Sequence, residues 1–216
     1  MTDSSDQKLF DFALTLMHSR QNILPRHLAH PGPSAQVLQD ILGAAAAAPD
    51  HRQLLPWRFV IVPQTGRARL AEVFGLALLD RDPNATHEQI ERAREKAHRA
   101  PFLMLAVAKL TGQPAPEATA GAPGKQGSEM GDPQVSDAQR LVSLGCAIQN
   151  MLLAAHAAGF ATGLTSGQAL ASPRLRALFE LQAFEQAVCC INFGSAKTHK
   201  SKRLRPSVAD YVSELP

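Results

Sequence analysis

Two short stretches of the chain carry side chains that could bind a charged or aromatic ligand. Residues 48–59, APDHRQLLPWRF, place a histidine, two arginines, an aspartate and the single tryptophan within twelve positions. His18, Ser19 and Arg20 stand together at the end of a helical pattern. A guanidinium group can grip a phosphate, and a neutral imidazole can add one hydrogen bond or a ring contact. These residue types therefore indicate ligand binding more than proton transfer.

Each of these residues also has a plain structural interpretation. A histidine in a turn, such as His51, is usually a surface or capping residue, and Trp57 is typical of a core. Arg58 at the start of a strand is expected to be solvated. His18 to Arg20 could complement the dipole of the preceding helix, and Gly163 to Gly167 could form an ordinary turn.

Standard catalytic motifs are missing. The sequence contains no Gly-x-Ser-x-Gly elbow, no phosphate-binding Walker loop and no His-Glu-x-x-His. It also lacks a Gly-x-Gly-x-x-Gly fingerprint after a strand, so a Rossmann-type dinucleotide site has no support. Cys146, Cys189 and Cys190 lie in apolar settings without metal-ligand spacing. We expect buried, reduced thiols, no metal site and no catalytic side chain.

Hydrophobic periodicity predicts the elements that must position these residues. Helices are expected at about 7–20, after Ser34, at 65–79 and 86–98, from Ser136 to Gly159, and at 172–181. Strands are expected at 58–63, 102–110 and 187–196, and a glycine-containing turn at 160–168. The Pro-, Gly- and Ala-rich stretch 111–136 predicts a flexible loop or insertion. Otherwise, residues 1–216 are expected to form one domain of the α/β or α+β class, with a middle sheet covered by helices.

Composition narrows the function classes. Of the 216 residues, 45% are apolar and 19% charged, and the formal net charge is only +3, which disfavours a nucleic-acid binder. The chain has no apolar run of membrane-spanning length and no apolar signal segment, so we expect a cytoplasmic protein without a membrane partner. The basic cluster at 197–205 leaves open a binder of nucleic acid or another anionic partner, although a solvated tail is the simpler interpretation.

Taken in chain order, four pieces of sequence resemble one family. SRQ at 19–21, APDH at 48–51, PWRF at 56–59 and AAHAAGF at 154–160 are similar to the nitroreductase family of flavin enzymes, specifically its small YdjA-like branch. The resemblance covers nearly the whole chain apart from 111–136. It implies a nitroreductase-like α+β fold with a mostly antiparallel central sheet, in an intertwined homodimer. It also implies an FMN-dependent oxidoreductase that takes hydride from NAD(P)H and reduces a small-molecule acceptor such as a nitroaromatic or quinone.

The same resemblance assigns cofactor-binding roles to individual residues. Arg20 would pair with the FMN phosphate, Ser19 and Gln21 would bond the phosphate or the ribityl hydroxyls, and Leu164, Thr165 and Ser166 would lie against the flavin. Ala47 and His51 would reach a flavin bound mainly by the second copy, with the small residues 44–48 packing across the interface.

The chain departs from the branch at this predicted site. Members usually have arginine at the position of Ser19, serine at that of Gln21, and Trp-Arg-Ser at 164–166. We infer that the basic tail compensates for the lost cations by supplying Lys202, Arg203 or Arg205. The departures also leave open a family member that binds flavin or serves a structural role without redox turnover.

Overall fold

The computed structural model describes residues 4–111, 134–197 and 204–215. Most of the predicted loop, residues 112–133, lies outside the described residues, as do Lys202 and Arg203.

A five-stranded sheet forms the centre of the fold. Its strands are β1 (Leu28–Ala29), β2 (Trp57–Ile61), β3 (Phe102–Lys109), β4 (Ala161–Thr165) and β5 (Glu185–Ala196). The order is β1-β5-β3-β2, every strand pair is antiparallel, and β4 pairs with β5 outside this path. This arrangement confirms the predicted α+β class with an antiparallel central sheet.

Helices cover both faces of the sheet. They are α1 (Ser4–Ser19), α2 (Ala35–Gly43), α3 (Arg67–Arg81), α4 (His87–Glu95), α5 (Asp137–Ala157) and α6 (Pro173–Leu178). Alternate residues of β3 enter two cores, because side chains of a strand point to opposite faces. Met104 and Ala106 pack with α2 and α5, whereas Leu103 and Leu105 pack with α3 and α6.

The longest helix begins where the sequence predicts. Ser136 accepts a hydrogen bond from the Gln139 backbone, and the Gln139 side chain accepts one from the Ser136 N–H, a complete capping box. Each partner satisfies a backbone donor that the first helical turn leaves free. This cap fixes the start of α5, which crosses the whole sheet.

Arg58 is not solvated as expected. Its guanidinium donates to both carboxylate oxygens of Glu185 on β5, at 2.6 and 2.8 Å. The Glu185 carboxyl is desolvated, which alone would raise its pKa, but the hydrogen bond from Arg58 and others hold that pKa below its usual value. The pair links β2 to β5 across the intervening strand β3.

Two further expectations need correction. Residues 161–165 were expected in a turn, but they form β4. Their glycine-containing sequence does not favour a strand by itself, and the backbone hydrogen bonds to β5 stabilise the strand instead. Ala45 and Ala48 were expected at a dimer interface, but both are buried in this chain's own core against α5. Ala46 and Ala47 remain exposed.

Gly163 allows the chain after α1 to lie directly on β4. The Ile23 N–H donates to the Thr162 carbonyl at 2.8 Å, and a Cβ at Gly163 would stand 2.0 Å from the Ile23 carbonyl oxygen. Only a residue without a side chain fits this approach.

No helix among the described residues is long and apolar enough to cross a membrane.

We predict that Gly163→Ala destabilises the fold by about 3 kcal/mol, because the clash is with backbone and a strand must shift. The midpoint of urea unfolding measures the change. Gly43→Ala is the matched control: a Cβ there meets nothing within 4 Å, and Gly43 ends α2 with helical dihedrals. It should cost nothing and could add about 0.5 kcal/mol. Equal stability of Gly163→Ala and wild type would contradict the close packing.

Candidate cofactor-binding site

The segment after α1 brings Arg20 close to the start of β4. Asn22 forms a parallel bridge with Thr162, and its side-chain oxygen accepts a hydrogen bond from the Leu164 N–H at 2.8 Å. Asn22 therefore joins the segment that carries Ser19 to Gln21 to the strand that leads into Leu164 to Ser166. The Leu164 N–H is already engaged and is not free for a ligand.

Two guanidinium groups meet at the end of α1. Arg205 donates from Nη2 to the backbone carbonyls of His18 and Arg20, at 3.1 and 2.9 Å. The Arg20 Nε is buried without a hydrogen-bond partner. Burial, and next the charge of Arg205, lower the pKa of Arg20 from its usual value.

No carboxylate balances this pair within the described residues. A buried donor without a partner and two adjacent cations both cost free energy, and a bound anion removes both costs. The pair therefore fits a phosphate group, whose oxygens accept from guanidinium donors.

Ser19 and His156 form a second polar contact beside Arg20. The Ser19 hydroxyl lies 2.8 Å from Nε2 of His156, at the end of α5, and 3.3 Å from the Leu16 carbonyl. Burial, and then the charge of Arg20, lower the pKa of His156, which favours the neutral ring. A hydroxyl has one hydrogen to donate, so Ser19 can serve a phosphate only while accepting from the His156 ring.

Residues 164–166 border cavities on both sides. Thr165 and Ser166 help line a cavity of about 640 Å³ next to α3 and α4, and also a smaller one of about 360 Å³ against α5. The buried Asn192 side chain donates to the Gly163 carbonyl and to the Thr165 hydroxyl, which fixes this end of β4. Within the described ranges, the Ser166 N–H has no acceptor, so it is available to a ligand.

The turn that carries His51 is held by Asp50. The Asp50 carboxylate accepts from the backbone N–H groups of Leu54 and Leu55, at 3.2 and 2.7 Å. Arg52, with φ of 59°, has left-handed backbone inside this turn. His51 and Ala47 are exposed, and no hydrogen bond of the described part joins them to Arg20 or to 164–166. Their contact with a flavin of the second copy stays a prediction.

The structure brings together most of the sequence-predicted residues and adds two. Ser19, Arg20, Arg205, Leu164, Thr165 and Ser166 lie on connected segments, and Gln21 lies among them without a side-chain hydrogen bond within the described residues. Arg203 lies outside the described residues. Asn22 and His156 were missed, because their partners are 142 and 137 residues away in sequence. The only sequence signal for Asn22 was that the polar run at residues 19–21 continues through it.

The cysteines are poor candidates for chemistry at this site, although Cys190 lines the larger cavity and Cys189 the smaller one. All three are free, and burial raises the pKa of Cys189 to about 11 and that of Cys190 to about 12. Such thiols are poor nucleophiles at neutral pH.

In the described ranges, no cluster of three or more His, Cys, Asp or Glu residues could hold a metal ion.

Comparison with known proteins identifies the class. The sequence model of the Nitroreductase family matches residues 21–195, and the chain belongs to this family. Proteins named "Putative NAD(P)H nitroreductase" are similar: one of Haemophilus influenzae is 28% identical, with 94% of this chain and 99% of the relative covered. YdjA of Escherichia coli K12 is 29% identical, with 93% and 98% covered.

Solved structures share the fold. A nitroreductase-like protein from Bacillus cereus superposes with a TM-score of 0.70 at 16% identity, covering 94% of this chain and 95% of the other. The FMN-dependent nitroreductase NfnB from Mycobacterium smegmatis, solved in complex with NADPH, gives a TM-score of 0.69 at 15% identity, covering 96% and 100%.

Proposed function

We propose that this protein is an FMN-dependent oxidoreductase that uses NAD(P)H to reduce a small organic acceptor. The observation that carries the proposal is the Arg20–Arg205 pair, with the buried and unpartnered Nε of Arg20, on a segment that Asn22 joins by a hydrogen bond to Leu164, two residues before the free N–H of Ser166. A phosphate at the first position and a flat ring at the second match the two ends of FMN. Family membership and the relatives' printed names support the same chemistry.

FMN, when bound, supplies the two-electron chemistry, and the protein's part is to hold and orient it. Arg20 and Arg205 bind the phosphate, with Ser19 and Gln21 toward the phosphate or ribityl group. Asn22 fixes the spacing between these residues and the ring-binding segment 164–166. Ala47 and His51 of the second copy close the site. The overall change is NAD(P)H + H⁺ + Ar–NO₂ → NAD(P)⁺ + Ar–NO + H₂O, or the analogous reduction of a quinone to a hydroquinone.

A redox-inactive flavin-binding or structural homologue is the second candidate. It is favoured by one observation: Ser19 replaces a cation, and its hydroxyl is already bonded to His156. Fewer phosphate contacts weaken FMN retention, and an enzyme must keep its cofactor through many turnovers. A nucleic-acid role for 197–205 has less support, because the formal net charge of the chain is only +3.

The visible spectrum separates these candidates. We expect the purified protein, reconstituted with FMN, to show an oxidised flavin band that bleaches when NADH or NADPH is added without oxygen, and that returns with a nitroaromatic or quinone. A bound flavin that no nicotinamide bleaches would support the redox-inactive homologue. A protein that binds no FMN at micromolar concentration would reject the oxidoreductase and leave only a structural homologue.

Arg20→Ala should weaken FMN binding about ten- to a hundred-fold. A hydrogen bond to a charged group contributes roughly 1.5–3 kcal/mol, and about 1.4 kcal/mol corresponds to one decade in Kd. Titration of FMN into apo-protein, followed by quenching of flavin fluorescence, measures the change. Arg69→Ala, which removes an exposed arginine of α3 away from the site, is the matched control and should bind like wild type. Unchanged binding by Arg20→Ala would mean that the phosphate is held elsewhere.

The surface of one chain supports the homodimer. No residue of α1 is buried, yet this helix exposes Leu9, Phe10, Phe12 and Met17. The tail, residues 204–215, exposes Tyr211 and other apolar side chains. Contiguous apolar surface of this kind is unusual on a monomer and typical of an interface. Obligate interfaces commonly bury more than about 2,000 Å².

Replacing two of these side chains by charges should break the dimer. We expect wild type to sediment at twice the chain mass at micromolar concentration, and the double variant Phe10→Asp, Phe12→Asp to sediment as a monomer with weakened FMN binding. Ala68→Asp, which adds a charge at an exposed position of α3, is the control and should stay dimeric. A monomeric wild-type protein would contradict both the dimer and the shared site.

A further inference from the structure

The larger cavity beside residues 165–167 has a strongly cationic wall. Its volume is about 640 Å³, within the usual range for small-molecule sites. Five basic side chains line it and no aspartate or glutamate does; the basic residues are Arg26, Arg81, Arg92, Lys96 and Arg99. They come from the loop before β1, from α3, and from α4 and the turn after it.

Nearby acids offset only part of this charge. Arg92 pairs with Glu88, and Arg99 lies 3.6 Å from Glu95, both within one helical turn on the outer surface. Within the described residues, Arg81 and Lys96 form no ion pair. A cleft lined by charge of one sign raises the local concentration of ligands of the opposite sign.

The rest of the lining is apolar. Phe74 and Leu78 of α3 and Leu170 face the same cavity. These side chains can pack on an aromatic ring, while the cations reach a charged substituent at its edge. Thr165 and Ser166 line this cavity, and they belong to the segment 164–166 that we place against the flavin. A ring bound here is therefore next to the electron donor.

We propose that the preferred acceptors are aromatic compounds that carry an acidic group, such as nitrobenzoates or carboxylated quinones. This inference rests on the proposed function and names its substrate class. The cavity holds the ring between Phe74 and the 165–170 segment, and Arg81 and Lys96 bind the acidic substituent. An anionic group of the nicotinamide donor has the same chemistry, so the test must separate the two sources.

The test compares 4-nitrobenzoate with 4-nitrobenzamide, a neutral acceptor of the same shape, using the FMN-loaded protein. In the double variant Arg81→Gln, Lys96→Gln, we expect kcat/KM for nitrobenzoate to fall about ten-fold, because each exposed charge pair contributes up to about five-fold. For nitrobenzamide, kcat/KM should change less than about two-fold. Added salt should reduce the wild-type advantage of the anion, since exposed charges are screened. Arg69→Gln, which removes one positive charge on α3 outside this cavity, should leave both substrates unaffected.

A binding measurement keeps the two proposals distinguishable. Calorimetric titration of nitrobenzoate into the oxidised FMN-loaded protein, without NAD(P)H, should show weaker binding in the double variant than in wild type. If NAD(P)H never reduces the protein but this difference is present, the anion site stands and the proposed function fails. If the variant instead loses activity with NADPH relative to NADH, and nitrobenzoate and nitrobenzamide respond alike, the cations serve the donor and the inference is overturned. Equal behaviour of variant and wild type in every arm also overturns it.

Discussion

The candidate site depends on one close backbone contact. Where the chain leaves α1, residues 22 and 23 lie along β4, and the absence of a side chain at Gly163 permits that approach. The hydrogen bonds of Asn22 and Ile23 to β4 then fix the distance between the Arg20–Arg205 pair and the 164–166 segment. Without this contact, the cations and the ring-binding backbone would belong to separate parts of the molecule. The rest of the fold holds β4 in place, through β5 and α5.

The basic side chains of the molecule fall into two groups, those with a carboxylate partner and those without one. Arg58 and Arg94 have carboxylate partners and hold elements together. Arg20, Arg81 and Lys96 have no such partner in the described ranges; Arg20 lies near the start of β4, and Arg81 and Lys96 line the cavity at its other end. A protein with a formal net charge of only +3 therefore concentrates uncompensated positive charge where anionic ligands would bind. Overall charge is a poor guide to such a distribution, because local pairing decides which charges are neutralised.

Sequence reasoning succeeded where the signal was local. The strand at 102–110 and the capping box of α5 are recognisable from consecutive residues, and the structure has both. It failed for β4, whose glycine and polar residues become a strand through pairing with β5. It failed for Arg58, because Glu185 is 127 residues away. The cationic cavity was not found either, since its basic residues are scattered from Arg26 to Arg99 and meet only after folding. For the candidate site, the resemblance pointed to Arg20 and 164–166, whose role in flavin binding stays a prediction, while Asn22 and His156 required coordinates.

The adjacent thiols of β5 affect how well the protein would withstand oxidants. Peroxides react with thiolate, not with thiol. With pKa values of about 11 and about 12, Cys189 and Cys190 are ionised at neutral pH in only about one molecule in ten thousand or fewer. Reduced flavins exposed to air release hydrogen peroxide, so a protein that holds one must tolerate that product within its own structure. Burial of both sulfur atoms in the sheet therefore keeps these two side chains in the thiol form, which peroxides attack slowly.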